Sequence, residues 1–263
     1  MPKSFTGSGI KDVYKDILHT NNSNAGISTT IKQITCGDGD TTALYLSNRN
    51  LKVQPSVDST TNTAIYDADG NVILAVDTTN DLVKAGVGQH SVNTQYSYFG
   101  IGSGDSVWAG GSAGNHYAVP FNSIATQALV GGGTGTDPAT SFTITDSSDD
   151  ITACMWYVLD NITLDRIVWW HGGDAAGSDA VRVHLWQYDV VTTAGSTSGD
   201  LSSGIVKAAG SDISGLGYEQ AYYQTITPSS ADVDAGKVLM FFFRADTVNS
   251  DFTINATVKY HLR

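Results

Sequence analysis

The sequence predicts an all-β fold, and three observations lead to that prediction. Glu219 is the only glutamate, so a strong helix-forming residue type is nearly missing from the 263 residues. Short apolar runs are separated by Asn, Asp, Gly and Ser, the residues of tight turns. The segment 252–263 has apolar residues at every second position, which is the period of a half-buried strand.

Composition excludes some partners. Charged residues make up only 15% of the chain, and the net charge is -12. Because phosphate binding needs clustered Lys and Arg, and none are clustered here, we expect no nucleic-acid partner. No apolar window is long enough for a membrane span, so no membrane insertion is expected. We also expect no cofactor, and we predict separate thiols rather than a disulfide for Cys36 and Cys154.

The first element, residues 1–30, is predicted to be an anchoring segment. Its phrase KDVYKDILHT places Val13, Tyr14, Ile17 and Leu18 at helical spacing. A helix this short is marginal by itself. We therefore expect the segment to become ordered against another protein.

The second element, residues 31–102, is predicted to be a series of short strands. The strand-like runs are TIKQITC, ALYLS, LKVQ, TAIYD, VILAVD, LVKAG and NTQYSYFGIG. Asp and Gly in CGDGD and DADGN favour hairpin turns between them. The phrases ALYLSNRNLKV and TAIYDADGNVILAVDTTNDLVKAG resemble each other and form a weak internal repeat.

These strands raise a packing problem, because isolated hairpins bury too little apolar surface to be stable in water. Three copies side by side would solve it by turning their apolar residues toward a shared axis. The predicted core of such an intertwined trimeric β-shaft consists of Leu44, Leu46, Ile65, Ile73, Leu74 and Val76.

The remaining elements are a Gly/Ser-rich joint at 103–116 and a C-terminal domain at 117–263. Strands are predicted near 121–130, 141–145, 151–159, 162–170, 181–190, 218–227, 238–246 and 252–263. About this number of antiparallel strands indicates a jelly-roll-like β-sandwich. The run VLMFFFRA at 238–245 is apolar on both faces, as in a strand buried at the centre of a sheet.

The segment 169–189 contains the most suggestive candidate site. Aromatic rings beside carboxylates and histidines are typical of glycan sites, but aromatic residues and Arg are also enriched in subunit interfaces. We favour the interface and keep the glycan site as the alternative. Within this segment, Arg182, His184, Trp186 and Tyr188 share one face of a predicted strand. The candidates are Trp170, His171, Asp174, Asp179, Arg182, His184, Trp186 and Tyr188.

Catalytic and metal sites are weighed but not predicted. Carboxylate pairs for glycoside hydrolysis would be Glu219 with Asp212, or Asp165 with Asp174, yet no pattern holds either pair at catalytic separation. A metal could use His171, Asp174 and Asp179. However, the histidines lack a defined third ligand, and the Asp-Gly turns lack the complete calcium-loop pattern.

The series TTALYLSNRNLKVQ, AIYDADGNVILAVDTTNDLVKAGVG and NTQYSYFGIG resembles the shafts of trimeric tailed-bacteriophage fibres and related virion appendages. The phrases ITLDRIVWW, GDLSSGIV, GYEQAYYQ and VDAGKVLMFFFR are similar to terminal domains of structural proteins of marine phages.

This resemblance implies a non-enzymatic virion protein that forms a short homotrimeric fibre or capsid appendage. Its N-terminus would attach to other virion proteins, and its β-sandwich would bind the host surface, with a glycan as the candidate receptor. Two alternatives remain open: a capsid decoration protein with no receptor role, and a polysaccharide-depolymerising tail spike.

Overall fold

The computed structural model describes residues 17–23, 25–86, 88, 90–101, 113–122, 130–145, 149–173, 180–214, 220–246 and 252–263. Within these ranges the fold is all-β, with antiparallel sheets, one 3-10 helix and no α-helix, as the sequence predicts. None of the described residues forms a helix long and apolar enough to cross a membrane. The chain divides into two compact units, Met1–Val92 and Asn93–Arg263.

The first unit contains eight short strands. They are β1 (His19–Thr20), β2 (Lys32–Thr35), β3 (Thr41–Leu46), β4 (Leu51–Val53), β5 (Thr63–Tyr66), β6 (Val72–Asp77), β7 (Leu82–Ala85) and β8 (His90–Ser91). They form two four-stranded sheets in sequential order, β1-β2-β3-β4 and β5-β6-β7-β8. Each sheet contains one of the two similar sequence phrases.

The turn between β5 and β6 follows directly from its sequence, DADGN. The Asp67 carboxylate accepts hydrogen bonds from the backbone N–H groups of Asp69 and Asn71, at 2.9 and 2.8 Å. Gly70 has φ of 84°, a left-handed conformation that glycine adopts without steric cost. These local contacts fix the hairpin that places β5 beside β6.

The second unit contains the longer strands. They are β9 (Thr94–Ile101), β10 (Asn115–Val119), β11 (Gly131–Thr134), β12 (Trp156–Tyr157), β13 (Ile162–Gly173), β14 (Ala180–Val190), β15 (Leu201–Ala209), β16 (Ile213–Ser214), β17 (Gln220–Ile226), β18 (Asp232–Val233), β19 (Val238–Ala245) and β20 (Phe252–Leu262). The 3-10 helix spans Asp149–Cys154.

These strands form two sheets that enclose one core. The five-stranded sheet has the order β17-β13-β20-β9, with β18 beside β13. The seven-stranded sheet has the order β11-β10-β19-β14-β15, with β12 beside β19 and β16 beside β14. The eight main strands pair in a nested pattern: β9 with β20, β10 with β19, β13 with β17, and β14 with β15.

Strand β19 lies at the centre of the seven-stranded sheet and is buried on both faces, as its sequence predicts. Phe241 and Phe243 point into the core between the sheets, where Phe241 stacks on Phe99 at 5.7 Å. Met240 and Phe242 point the other way, into a second cluster. This outer cluster contains Ala118, Val130, Ile151, Cys154, Trp186, Tyr188, Leu201, Val238, Met240 and Phe242.

The predicted boundary between shaft and joint is wrong by about ten residues. Strand β9 was assigned to the region 31–102, yet it pairs with β20 along its whole length and belongs to the second unit. Most of the predicted joint lies outside the described residues, and its last residues begin β10. In the predicted anchor, Val13 and Tyr14 lie outside the described residues, whereas β1 pairs with β2 of the first sheet.

Two predicted strands of the second unit are also wrong, and a third lies mostly outside the described residues. Residues 151–159 form part of the 3-10 helix and the two-residue β12, and 141–145 makes only a single bridge at Phe142. In the predicted strand 121–130, residues 123–129 lie outside the described residues. The apolar side chains of these segments instead supply part of the outer cluster, so their hydrophobicity reflects burial without strand pairing.

Strand β15 was missed because its sequence, LSSGIVKAA, contains a glycine and two serines. Gly204 is required by close packing: a Cβ atom there would lie 2.6 Å from the Tyr188 ring. Cys36 and Cys154 form no disulfide, as predicted, and Cys154 is buried in the outer cluster.

Candidate functional site

The eight candidates of the 169–189 segment fall into separate places. Trp170 lies on the outer side of the five-stranded sheet, and 47% of its surface is exposed. The next residue, His171, points to the opposite side and is buried. Asp174 and Asp179 lie outside the described residues. Of the two described members of this group, Trp170 is the one exposed to a partner or ligand.

The second group does share one face of β14, but this face is buried by the chain itself. Trp186 and Tyr188 belong to the outer cluster, and the Tyr188 hydroxyl donates a hydrogen bond to the carbonyl of Ala139 at 2.9 Å. Arg182 is partly exposed and forms two hydrogen bonds, of 2.6 and 2.7 Å, to the Asp212 carboxylate. The prediction that His184, Trp186 and Tyr188 form a binding or interface surface is wrong, because all three are buried by residues of their own chain.

His184 lies beside a second buried histidine, His116, with ring centroids 5.1 Å apart. Burial lowers the pKa of each imidazole to about 4. The Asp137 carboxylate, 3.8 Å from Nε2 of His184, opposes this shift only in part, while Arg182 and Arg244 add to it. Both rings are thus neutral at pH 7, and they act as buried packing groups.

The described part of the chain does not support the carboxylate pairs or the metal site considered from the sequence. Asp212 is engaged by Arg182, and Asp165 lies 2.9 Å from Nδ1 of His261. Glu219 lies outside the described residues. No described group of three or more His, Cys, Asp or Glu side chains is arranged to hold a metal ion.

Around Trp170, the outer side of the five-stranded sheet carries a set of exposed aromatic residues. Tyr223 on β17 is opposite Trp170, with ring centroids 5.0 Å apart. Tyr98 and Tyr96 project from β9 on the same side, since each is in register with an outward-facing residue of β20. The exposed fractions are 64% for Tyr223, 50% for Tyr98 and 54% for Tyr96.

We call this surface the aromatic face and define it by ten residues in three rows across the sheet. They are Tyr223, Trp170 and Asn255 in the first row, Thr225, Val168, Thr257 and Tyr98 in the second, and Arg166, Lys259 and Tyr96 in the third. Beside Trp170 a cavity of about 260 Å³ opens, bordered by Gly172, Ala221, Thr253 and Asn255.

Sequence reasoning identified Trp170 but missed the three tyrosines. A signal for two of them was present in TQYSYFGI, where Tyr96 and Tyr98 occupy one face and Ser97 and Phe99 the other. Tyr223 is far from Trp170 in the sequence, so only the pairing of β13 with β17 brings the two rings together.

The two sheets of the first unit each carry an apolar face that no described residue covers. In the second of these sheets, Leu74 lies between Ile65 and Ala85, and Val76 lies between Thr63 and Val83. Ile65, Leu74 and Val83 are all exposed. Ile73 projects to the opposite side, because side chains alternate along a strand. It therefore does not share a face with Leu74, contrary to the predicted shaft core.

The first sheet has the same character. Leu44 pairs with Val53, and Leu46 pairs with Leu51, so the four side chains form one apolar face. Leu44, Leu51 and Val53 are exposed, and Leu46 is half-buried. Among the described residues of the first unit, Ile34 and Ala75 are the only buried hydrophobic residues. The described part of this unit therefore has almost no apolar core of its own.

No protein-family model and no curated protein sequence matches this chain.

Proposed function

We propose that this protein is a structural component of a bacteriophage virion, which assembles as a homotrimer into a short fibre or capsid-attached appendage. The observation that carries the proposal is the pair of uncovered apolar faces in the first unit, formed around Leu46 and Leu74. Such faces on a small unit with almost no core indicate association, because monomers rarely expose contiguous apolar surface.

Covering these faces would contribute favourable free energy to assembly. Complete burial of a Leu, Ile or Val side chain contributes about 1.5–3 kcal/mol, so a side chain that is roughly half exposed contributes about 1 kcal/mol. Ile65, Leu74 and Val83 from three chains would together contribute about 9 kcal/mol by the same estimate. The corresponding face around Leu46 adds to this amount.

The second unit suits the role of a domain presented by such a fibre. Its nested strand pairs, β9 with β20 through β14 with β15, are the pattern expected when a long antiparallel ribbon rolls into a jelly roll. This architecture occurs in viral capsid and lectin domains. The phage assignment itself rests on the resemblance of the shaft phrases.

In this proposal, the N-terminus attaches to other virion proteins and the sandwich contacts the host surface. Three copies of a weak glycan site on one assembly would gain avidity without any new contact. A glycan array with the purified trimer tests this part. If an intact trimer binds no cell-surface glycan, the decoration role replaces the attachment role, and if it releases reducing ends from a capsular glycan, it is a depolymerase.

The assembly itself is tested by the native mass of the purified protein in light scattering. We expect about three times 27.7 kDa for the wild type. Leu46→Asp and Leu74→Asp should each give monomers, because a carboxylate would be buried without a partner. Val57→Asp is the matched control: Val57 is an exposed apolar residue of the same unit that lies outside the strands, so its replacement should leave the trimer intact. A wild-type monomer, or a trimeric Leu74→Asp variant, would refute the shaft.

A further inference from the structure

We propose that the aromatic face is a contact surface between copies of this chain. This inference rests on the proposed homotrimer and names a second surface that holds it together. In the single chain, Trp170 and the three tyrosines are about half exposed, yet they lie within the strands of a four-strand surface instead of at loop tips. Trp170 contacts Tyr223, and Tyr96 and Tyr98 lie on the same side beyond β20. Exposed aromatic rings are enriched in protein contact sites.

The composition of the face fits a protein–protein interface. Tyr, Trp and Arg are enriched in such interfaces, whereas Asp and Glu are depleted. The ten residues of the face contain four aromatic residues, one Arg and no carboxylate. Identical copies can therefore meet at this face without opposing carboxylates.

The two outer sides of the sandwich differ in how they are covered. On the seven-stranded sheet, Val130, Ile151 and Cys154 pack onto Met240 and Phe242, so the chain covers that side itself. On the five-stranded sheet, no described segment lies over Trp170 or Tyr223, and both remain exposed. The side that the described residues leave uncovered is the side that carries the aromatic rings.

The area of the aromatic face is too small for a complete interface, so the first unit would have to supply the rest of the contact area. Four strands about 4.8 Å apart and three rows about 7 Å apart give a surface of about 400 Å². A standard interface buries about 800 Å² on each partner, so the face supplies about half of that area. The remaining area comes from the apolar faces of the first unit.

Connectivity favours a second copy as the occupant. Strand β9, which carries Tyr96 and Tyr98, begins at Thr94, and the first unit ends at Val92. When the first units of several chains associate, their aromatic faces are therefore held at high effective concentration. The cavity beside Trp170 could accept a sugar ring, but it involves only one end of the face and leaves Tyr96 and Tyr98 unexplained.

Hydroxyl-radical footprinting of the full-length protein tests the inference, with the native mass measured on the same sample. In a trimer, we expect Trp170 and Tyr223 to react several-fold less than Tyr157. Tyr157 is the control because its exposed fraction in the single chain, 44%, is similar to the 47% of Trp170. It lies on the other, seven-stranded sheet. Dilution to monomers should restore the reactivity of Trp170 and Tyr223 while leaving that of Tyr157 unchanged.

A pair of variants provides the second measurement, made by sedimentation of the full chain. Trp170→Ala should weaken the trimer by about 30-fold, as expected for an interface hot spot. Ile205→Ala is the control, since Ile205 has the same exposed fraction of 47% but lies on β15 of the other sheet.

The outcomes separate the two proposals. A full-length monomer overturns both the trimer and this interface. A trimer in which Trp170 reacts as readily as Tyr157, and in which Trp170→Ala assembles normally, overturns the interface alone. If Trp170→Ala also lowers binding to a cell-surface glycan while the trimer stays intact, the aromatic face is a glycan site instead.

Discussion

Lowering the pH from 7 to 5 should destabilise the second unit through His116 and His184. An imidazole titrates near 6.5 in an unfolded chain, whereas burial lowers the pKa of both folded-state groups to about 4. Between these values, the unfolded state binds more protons than the folded state. The stability that the neutral rings provide is therefore complete above pH 6.5 and is lost progressively as the pH falls toward 4.

The magnitude follows from the two shifts. A pH of 5 is about 1.5 units below the pKa of each histidine in the unfolded chain and still above its pKa in the folded chain. Each histidine therefore lowers the free energy of unfolding by about 2 kcal/mol at pH 5. The two together give a loss of about 4 kcal/mol, a large fraction of the roughly 5–15 kcal/mol that stabilises a typical domain. The carboxylates of Asp189 and Asp212 have pKa values lowered by hydrogen bonds from Lys237 and Arg182, so their contribution is lost only at lower pH.

Urea unfolding followed by tryptophan fluorescence, at constant protein concentration, measures this loss. His184→Leu removes one titrating ring, so the loss between pH 7 and 5 should fall to about 2 kcal/mol. His19→Leu is the control, because His19 is exposed and lies in the first unit. A wild-type unfolding free energy that is equal at the two pH values, or a His184→Leu variant with an unchanged pH dependence, would refute the reasoning.

Two further predictions concern single contacts. Gly204→Ala should destabilise the sandwich by about 1–3 kcal/mol in urea unfolding, because the new methyl group would overlap the Tyr188 ring. Gly131→Ala is the control and should have little effect, since a Cβ atom at Gly131 would meet no atom within 4 Å. Asp77→Asn should loosen the turn between β6 and β7, since the buried Asp77 carboxylate accepts a 2.5 Å hydrogen bond from Lys84, and faster amide exchange in β7 would reveal it. An exchange rate equal to that of the wild type would contradict the second prediction.

Much of the secondary structure could be predicted from the sequence. Strands β2 to β7 of the first unit and the long strands β13, β14, β19 and β20 were found because their apolar residues have a period of two or form an unbroken buried run. The two-residue strands β1 and β8 were not predicted. The same period places Tyr96 and Tyr98 on one face of β9. Applied strictly, it also separates Ile73 from Leu74, so this error of the predicted shaft core was avoidable.

The candidate site could be predicted only in part, because its members come from distant segments. Trp170 was identified from its own neighbourhood, but its contact with Tyr223 exists only through the pairing of β13 and β17. In the same way, Trp186 and Tyr188 resemble surface aromatic residues in the sequence, and the outer cluster that buries them includes Val130 and Ile151.

The sequence by itself determined the all-β class, the tight turns and the faces of individual strands, because side-chain alternation and turn geometry depend on a few neighbouring residues. The tertiary structure alone decided the order of strands, the place of β9 in the sandwich, and which aromatic faces are covered. These features depend on which distant segments share buried surface, and an alternating strand presents the same pattern whether its apolar face meets its own chain or another copy.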